Sequence, residues 1–500
     1  MEIEIKLTAH PGDLPAVRRA LADLAVVVEE AGVKRLESRY YDTPGRGLQQ
    51  RGMTLRVRRA GHGFVQTVKT EGQGAFERGE WEKPVCSFTP ELDGEAGGLE
   101  ELFVTDIERD KLIAAFPPWR PDPSRIELAI DTGAIRHADR GEPVSEVELE
   151  LLEGAPADLF DLGARLAERV PLRLSVESKS ARGYRLANGA PPATLKADRL
   201  EFPADVTLED GMRESLRACL RQWLANQAAA FDGRDPEGAH QMRVALRRLR
   251  SALVFFADYI PEPAYGEFRK KSRWAANSLG PARDWDVFLL ETLLPLLCEW
   301  PEHPGLRALH EAAQRARIEG YAEARVAISS PAYTVFALRL AGWIEHRGWR
   351  VGLAADETDA LGKPMTRHAG RLLDGLYETV EAAGEDFDDL DAEAKHELRI
   401  ALKKLRYAGE FFRSLYPRKD VKRFRDALTD LLDLLGKLND LTVARALCGR
   451  LMEAEDADAG VMETGVAALL DWHERRGHVS DKALSKAWTE FRHADPFWRD

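Results

Sequence analysis

Charged side chains recur at every second position in several stretches of the first 190 residues. At the start of the chain, Glu2, Glu4 and Lys6 alternate with apolar residues. A two-residue period is typical of a β-strand, so these three side chains are predicted to share one face. A solvated amphipathic strand would show the same alternation, and for one stretch alone that is the simpler interpretation.

Later stretches repeat the alternation with a single sign of charge. Arg56 and Arg58 form one such pair, and Glu146, Glu148 and Glu150 form another row. Like charges directly opposite one another destabilise an ordinary solvated sheet, so their segregation favours a closed sheet with a charged interior. Carboxylates suit Mg²⁺ or Mn²⁺, whereas arginine and lysine suit phosphate oxygens. The pattern therefore predicts an interior that binds a metal together with a polyphosphate.

These residues resemble the signature of the CYTH family, the triphosphate tunnel metalloenzymes, over roughly residues 1–195. The elements that carry the resemblance are Glu2-x-Glu4-x-Lys6, Arg56-x-Arg58, Lys69, Arg78-x-Glu80-x-Glu82, Asp131, Glu146-x-Glu148-x-Glu150 and Lys179 in Ser178-Lys179-Ser180. The resemblance implies an eight-stranded antiparallel β-barrel with flanking helices, whose tunnel binds a triphosphate and a metal. The fold class expected for the whole chain is α+β, with several domains.

The resemblance also implies roles for individual residues. Catalysis would depend on Glu4, Lys6, Arg56 and Arg58, with Lys6 orienting the phosphoryl group that is cleaved. The residues expected to bind the substrate phosphates are Arg56, Arg58, Lys69, Arg78, Lys179 and Arg182. The residues expected to hold Mg²⁺ or Mn²⁺ are Glu2, Glu4, Asp131, Glu148 and Glu150. Glu148 and Glu150 are preferred to Glu146, and Glu82 is preferred to Glu80.

Three local predictions concern the elements around these strands. The spacing of apolar residues over 14–28 predicts a helix with Asp13 as its N-cap. A second helix is predicted over 158–169, followed by a last strand that contains Lys179, Arg182 and Tyr184.

The second half of the chain has a helical period and an internal repeat. The segment 240–250, HQMRVALRRLR, resembles 396–406, HELRIALKKLR, at an offset of 156 residues. Leu279-Gly280 and Asp284 match Leu435-Gly436 and Asp440 at the same offset. A constant offset across two separate matches indicates a duplication. Pro191-Pro192 marks a linker, so the predicted domains are 1–200 and 206–495, the latter divided roughly into 206–355 and 362–495.

Each repeat carries one histidine and three cations on a narrow arc of a helix. These residues are His240, Arg243, Arg247 and Arg250 in the first copy, and His396, Arg399, Lys403 and Arg406 in the second. One basic helix alone would be read as a solvated face, but the recurrence in an acidic chain favours an anion site. Arg248 and Lys404 are predicted to point elsewhere, into solvent. The neighbouring cations disfavour metal binding by the histidines.

These helices resemble the CHAD family, the conserved histidine α-helical domains, over about residues 206–495. CHAD domains often follow CYTH domains. The resemblance implies two pseudo-symmetric four-helix bundles that bind inorganic polyphosphate, and association with polyphosphate granules is a further expectation.

Composition limits the other possibilities. A net charge of −13 argues against a general nucleic-acid binder. The four scattered cysteines are typical of reduced, mostly buried thiols in a cytoplasmic protein, and neither a signal peptide nor a membrane span is expected. The length of 500 residues predicts two or three domains.

The function expected from the sequence is metal-dependent hydrolysis of inorganic triphosphate, with a polyphosphate-binding C-terminal module. Two alternatives use the same tunnel: hydrolysis of an organic triphosphate such as thiamine triphosphate, and adenylate cyclisation. An alternative of another class is a non-catalytic polyphosphate receptor on granules, which would not need metal-binding carboxylates. The two halves are expected to be separable, so that a chain ending near residue 200 would keep the hydrolytic activity.

Overall fold

A computed structural model describes residues 3–24, 26–61, 63–71, 78–91, 98–454, 459–476 and 480–499. Glu2 of the predicted metal set lies outside these residues, and Arg78 and Glu80 are described through their backbone alone. The described chain divides into two compact units. The first comprises 1–196, 220–242 and 325–348, and the second comprises 197–219, 243–324 and 349–500.

The first unit is built on an antiparallel sheet. Its strands are β1 (Glu4–Thr8), β2 (Val27–Asp42), β3 (Met53–Ala60), β4 (Gly63–Glu71), β5 (Arg78–Val85), β6 (Glu100–Phe116), β7 (Ser124–His137), β8 (Arg140–Glu153) and β9 (Arg173–Ser175). The strand order is β5-β4-β3-β2-β6-β7-β8-β1-β9. The sheet thus has nine strands where eight were expected, because the short β9 adds to the free side of β1. Among the described residues, no pairing joins the end strands β5 and β9.

Four helices accompany these strands: α1 (Pro15–Asp23), α2 (Gly47–Gln50), α3 (Pro156–Ala167) and α4 (Lys179–Asn188). Helix α1 is shorter than the predicted helix over 14–28, because residues from Val27 onward pair with β6. Its N-cap is Leu14 rather than Asp13, and Asp13 lies in a short 3-10 turn. Helix α3 confirms the helix predicted over 158–169, with bounds shifted by two residues.

The segment predicted as a last strand is helix α4, so that prediction is wrong. Ser178 accepts a hydrogen bond from the backbone N–H of Ala181, which is a standard helix N-cap. Gly189 ends the helix with a φ of 64°. Lys179 and Arg182 are three residues apart, a spacing that places both on one helix face but on opposite faces of a strand.

The first unit also includes helices from the second half of the sequence. These are α6 (Gln227–Asp232), α12 (Pro331–Glu345) and the adjoining parts of α5 (Leu208–Ala225), α7 (Pro236–Phe255) and α11 (Pro304–Ile328). Helix α12 packs on α3, and a Cβ atom at Gly342 would lie 2.8 Å from the Cβ atom of Phe160. The expected separation near residue 200 would therefore remove a helix that covers α3.

The second unit is mainly helical in the part that the structure describes, with one isolated β-bridge between Thr207 and Pro364. Its further helices are α8 (Glu262–Ser278), α9 (Gly280–Val287), α10 (Leu294–Glu299), α13 (Ala355–Leu361), α14 (Met365–Ala383), α15 (Ala392–Phe412), α16 (Arg418–Ala454), α17 (Ala459–Arg476) and α18 (Asp481–Arg492). A π-helical segment, Phe288–Leu293, joins α9 to α10. Helices α7 and α15 begin at 236 and 392, and α8 and α16 begin at 262 and 418, so both pairs keep the offset of 156. The predicted arrangement as two four-helix bundles stays a prediction.

The four cysteines are free thiols. Cys219 and Cys448 are buried, whereas Cys86 and Cys298 are exposed, so half of them depart from the expected burial. Within the described part of the chain, no helix combines the length and the apolar character needed to cross a bilayer.

Candidate active site

A cavity of about 550 Å³ in the first unit brings charged residues of seven strands and α4 together. Among the described residues, seven cations and five carboxylates line it. The cations are Lys6, Arg56, Arg58, Lys69, Arg109, Lys111 and Lys179, and the carboxylates are Glu4, Glu82, Glu127, Glu148 and Glu150. This excess of positive charge fits a ligand that is strongly anionic and carries a divalent metal.

Strand register places the acids of β1, β8 and β7 in rows across the sheet. Glu4 lies opposite Glu150, which in turn lies opposite Glu127. One step along the strands, Lys6 lies opposite Glu148. Three carboxylates in one row would repel each other unless cations lie between them. Lys111 provides one such cation, with its Nζ 2.7 Å from Glu127.

The arginines face the cavity from the opposite part of the sheet. Arg56 and Arg58 are two residues apart on β3, so the pleat directs both to the same face. Arg56 Nη2 lies 3.8 Å from Glu82, and Arg58 Nε donates a hydrogen bond to Ser38 Oγ at 3.0 Å. Burial and the neighbouring Arg56 lower the pKa of the Arg58 guanidinium to about 10, so it stays charged at neutral pH.

Lys179 of α4 lines the cavity and is surrounded by carboxylates. Its Nζ lies 2.7 Å from Asp131 and 2.9 Å from Glu148, and it also forms an ion pair with Glu146. Arg109 donates two hydrogen bonds to Asp131, at 2.7 and 2.6 Å, and pairs with Glu148 as well. Carboxylate oxygens of Asp131, Glu146 and Glu148 all lie within 4.8 Å of one another.

The electrostatics of this cluster favour the charged forms of Glu148, Lys179 and Arg109. Burial alone would raise the pKa of Glu148, but Lys179, Lys6 and Arg109 hold that pKa well below its usual value. Burial alone would lower the pKa of Lys179, but Glu148, Glu146 and Asp131 raise it. The cluster could hold a metal ion by the chemistry of its oxygen donors, yet an ammonium group already lies among them.

Most of the sequence-predicted site residues meet in the cavity. Those that line it are Glu4, Lys6, Arg56, Arg58, Lys69, Glu148, Glu150 and Lys179. Asp131, predicted to hold metal, is instead fully buried against Arg109 and Lys179. Arg182, predicted to bind phosphate, donates hydrogen bonds to Glu142 at 2.7 Å and to Glu146 at 3.2 Å.

Several cavity residues were not predicted. Arg109 and Lys111 come from Glu108-Arg109-Asp110-Lys111, where every residue is charged and no polar–apolar alternation marks the inner face. Glu127 follows the polar–apolar alternation of β7, but it is not one of the residues that carry the resemblance to the CYTH family. The available signal for Arg109 and Lys111 was their two-residue spacing, the same as that of Arg56 and Arg58.

Tyr40 is a further unpredicted residue of the cavity wall. Its ring stacks on Phe103, with centroids 4.4 Å apart and an interplanar angle of 16°. Burial alone would raise the pKa of the Tyr40 phenol, but Arg56 and Arg58 hold it below its usual value. The phenol therefore contributes a hydroxyl group, rather than an apolar face, to the arginine side of the cavity.

In the second unit, Arg243 and Arg250 of α7 stand near other arginines. Burial and the nearby Arg247 and Arg283 lower the pKa of Arg243, and burial with Arg273 and Arg269 lowers that of Arg250. A like-charge cluster of this kind favours an anion. His396 is exposed, whereas His240 is half-buried in the part of α7 that belongs to the first unit.

Corresponding features support these residues in both repeats. A Cβ atom at Gly280 would lie 3.0 Å from Arg243 Nη1, and one at Gly436 would lie 3.8 Å from Arg399 Nη2. The repeated Leu-Gly pairs thus leave room for the repeated arginines.

The two basic helices meet at Tyr407. The guanidinium carbon of Arg247 lies 5.2 Å from the centre of its ring, and that of Arg406 lies 5.3 Å away. Lys404 is exposed, as predicted, but Arg248 is half-buried with its guanidinium 5.3 Å from the Phe411 ring. The prediction that Arg248 points into solvent is wrong, because α7 and α15 face each other at this position.

Comparison with known protein families matches a different domain model to each half of the chain. The CYTH domain model matches residues 1–184, and the CHAD domain model matches residues 214–449. A crystal structure of the CHAD domain from the plant Ricinus communis is 31% identical, with a TM-score of 0.52, and covers 59% of this chain and 96% of that one. The chain therefore carries a CYTH domain followed by a CHAD domain.

A more distant relative comes from Haemophilus influenzae. It is an inorganic triphosphatase, 29% identical over 201 residues, and the match covers 37% of this chain. The chain spans about half, 55%, of the length of that relative. A putative adenylyl cyclase from Hippeastrum, described as having a dominant triphosphatase activity, is 18% identical and covers 38% of this chain and 97% of that one, with a TM-score of 0.27.

Proposed function

We propose that the first unit hydrolyses inorganic triphosphate to pyrophosphate and phosphate. The observation that carries this proposal is the cavity lining, in which seven cations and five carboxylates surround about 550 Å³ among the described residues. A triphosphate concentrates several negative charges in a short chain, so its hydrolysis depends mainly on positioning and charge neutralisation. In the described lining, Tyr40 is the one aromatic residue; its ring stacks on Phe103 and its phenol lies near Arg56 and Arg58. The rest of that lining is charged or small, which does not suit a base.

The roles of the residues follow from their places. Arg56, Arg58 and Lys69 bind the phosphate oxygens from β3 and β4, where the guanidinium groups offer paired donors. Arg109 and Lys111 add to this set from β6. Lys6 extends from β1 between Glu4 and Glu148, at 3.7 and 3.2 Å, and so orients the phosphoryl group next to the carboxylate row.

The carboxylates fit Mg²⁺ or Mn²⁺, because they offer oxygen donors alone and stand in a row of like charge. Glu4, Glu148 and Glu150 would hold the metal, since they line the cavity. Asp131 and Glu146 are fully buried and are not among the residues that line the cavity, so we assign them to the support of Lys179. When bound, the metal would neutralise phosphate charge and lower the pKa of an attacking water.

This proposal predicts that phosphate release from tripolyphosphate requires Mg²⁺ or Mn²⁺ and stops when EDTA removes the metal. Phosphate release should be measured against tripolyphosphate, ATP and thiamine triphosphate, with and without each metal. We expect the highest kcat/KM for tripolyphosphate. A preference for ATP or thiamine triphosphate would identify the alternative chemistry in the same cavity, and full activity in EDTA would exclude the metal role.

We further propose that the helical half binds inorganic polyphosphate through α7 and α15. The residues concerned are His240, Arg243, Arg247, Arg250, His396, Arg399, Lys403 and Arg406. The surroundings of Arg243 and Arg250 support this, because burial and neighbouring arginines lower the pKa of both, with Asp284 the one acid that acts against this at Arg243. We propose that the two repeats of this half span residues 206–355 and 362–495. The proposed location of the protein is the cytoplasm, in association with polyphosphate granules.

Polyphosphate binding by the full chain should weaken steeply as salt rises, because each neutralised phosphate releases counterions. The double variant Arg243→Ala/Arg399→Ala should flatten the plot of log affinity against log salt by about one unit for each lost contact. Lys404→Ala is the matched control, since that exposed lysine lies outside the face. Equal slopes for the wild type and the double variant would show that these helices are solvated surfaces.

A further inference from the structure

The outer edge of β9 is contacted by helices from the second half of the sequence. β9 ends the strand order, with β1 on its inner side. On its other side, the backbone N–H of Leu174 donates to Thr334 Oγ1 at 3.4 Å, and its carbonyl accepts from Gln227 Nε2 at 3.0 Å. Both side chains come from the second half of the sequence, on α12 and α6. They satisfy backbone groups that an open sheet edge would leave to water.

A second set of contacts fixes α6 against the same strand. The guanidinium of Arg173 lies 4.3 Å from the centre of the Phe231 ring. Arg325 donates to the carbonyl oxygens of Phe231 and Asp232 at 2.8 and 2.9 Å, which closes the end of α6. Gln227 is 6% exposed and Thr334 is 1% exposed, so both act from a buried position.

Helix α12 also backs β1 through α3. A Cβ atom at Gly163 of α3 would lie 3.5 Å from Leu338 of α12 and 3.7 Å from Ile5 of β1. Ile5 is fully buried and stands between Glu4 and Lys6, whose side chains face the cavity on the other side of the strand. The strand that carries both residues is thus packed from behind and held at its edge by helices of the second half.

We propose that Gln227 and Thr334 are positioning residues for the cavity: they hold β9, and through its pairing with β1 they hold Glu4 and Lys6 in place. Lys6 lies directly opposite Ser175 of β9, one residue from the clamped Leu174. This inference rests on the proposed function only in its expected effect on hydrolysis, because the expected effect on Mn²⁺ binding does not require that tripolyphosphate be the substrate. It gives α6 and α12, which lie within the proposed range 206–355, a role in the first unit as well.

The test uses Thr334→Val and Gln227→Met in the full chain, because both keep side-chain volume and remove the hydrogen bond. Binding of Mn²⁺ to the free protein should be measured by electron paramagnetic resonance, together with kcat and KM for tripolyphosphate. We expect Mn²⁺ affinity to fall about tenfold, the lower end of what removal of supporting partners costs at metal sites. The loss of rate should appear in kcat more than in KM, since the arginines of β3 are untouched. Thr334→Ser should restore both quantities.

Arg339→Gln is the control, because it breaks an exposed ion pair between α12 and Glu168, the residue after α3, and this ion pair includes no residue of β9. A purely structural role would lower the melting temperature of the Thr334 and Gln227 variants while Mn²⁺ affinity and kcat stayed at the wild-type values, and that result would overturn the proposal. If the wild type bound Mn²⁺ without hydrolysing tripolyphosphate, the proposed function would fail, while the Mn²⁺ titrations of the variants would still decide this inference.

Discussion

Glu4→Gln should lower kcat for tripolyphosphate at least about a hundredfold, because a metal ligand contributes several kcal/mol of charge stabilisation. Glu4 lines the cavity and lies opposite Glu150. The amide keeps the shape of the side chain but loses the negative charge that attracts the metal. Stability to denaturant should change little, since Glu4 lies at the cavity surface and not in the apolar core. Steady-state kinetics across a range of Mg²⁺ concentrations measures the effect.

Glu153→Gln provides the matched control for this experiment. Glu153 lies at the end of β8, three residues from Glu150, and its side chain is 70% exposed. It should keep wild-type kinetics. A Glu4→Gln protein with the wild-type kcat would show that the assignment of the metal to this row is wrong.

Lys179→Met should destabilise the folded protein by about 3–5 kcal/mol, the typical cost of leaving buried charges without their partner. Lys179 stands among Asp131, Glu146 and Glu148, of which Asp131 and Glu146 are fully buried. Removal of the ammonium leaves Arg109, Arg182 and Lys6 to balance three carboxylates, and Arg182 and Lys6 also pair with Glu142 and Glu4. Urea unfolding, followed by circular dichroism at neutral pH, measures the difference. Lys83→Met is the control, because Lys83 forms an exposed pair with Glu91 at 3.3 Å, worth at most about 1 kcal/mol.

The pH dependence of that difference has a definite sign. In the wild type the pKa of Glu148 is depressed, so its ion pairs stabilise the protein above the ordinary value of 4.5 and are lost as pH falls toward the folded pKa. Without Lys179 this depression weakens, so protonation costs the variant less. The gap in stability should therefore be widest near neutral pH and narrow below about pH 4.5. A gap that stays constant from pH 7 to about pH 3 would contradict the buried ion cluster.

The alternation of charges was sufficient to predict the inner face of several strands. Glu4 with Lys6, Arg56 with Arg58, and Glu148 with Glu150 all line the cavity, because the pleat of a strand leaves no other arrangement once one face is apolar. Glu146 is an even number of residues from Glu148 and Glu150, so it lies on the same face of β8, and yet it is fully buried. Its burial depends on α4, and the alternation of charges along a strand does not predict where that helix packs.

Other features required information that lies far away in the sequence. Asp131 lies on the same face of β7 as the cavity residue Glu127. Its surroundings, however, depend on Arg109, which lies directly opposite on the neighbouring strand β6 and donates hydrogen bonds to it. Likewise, Gly342 packs against Phe160, 182 residues away in the sequence. The linker near Pro191 therefore suggested a boundary between two separate halves, whereas helices from the second half belong to the first unit. Both features depend on contacts between residues that are distant in the sequence, whereas the periodicity of a sequence shows only which nearby residues share a face.

The distribution of charge in the cavity has a consequence for how a ligand enters it. Acids are concentrated on β1, β7 and β8, while Arg56, Arg58 and Lys69 lie on β3 and β4, so the cavity has two unlike sides. A linear inorganic triphosphate is identical when reversed end for end. Either terminal phosphate can therefore meet the acidic side, and both orientations of entry are equivalent. A nucleotide has a single phosphate terminus and lacks this symmetry, so only one orientation of each encounter would suit the same cavity.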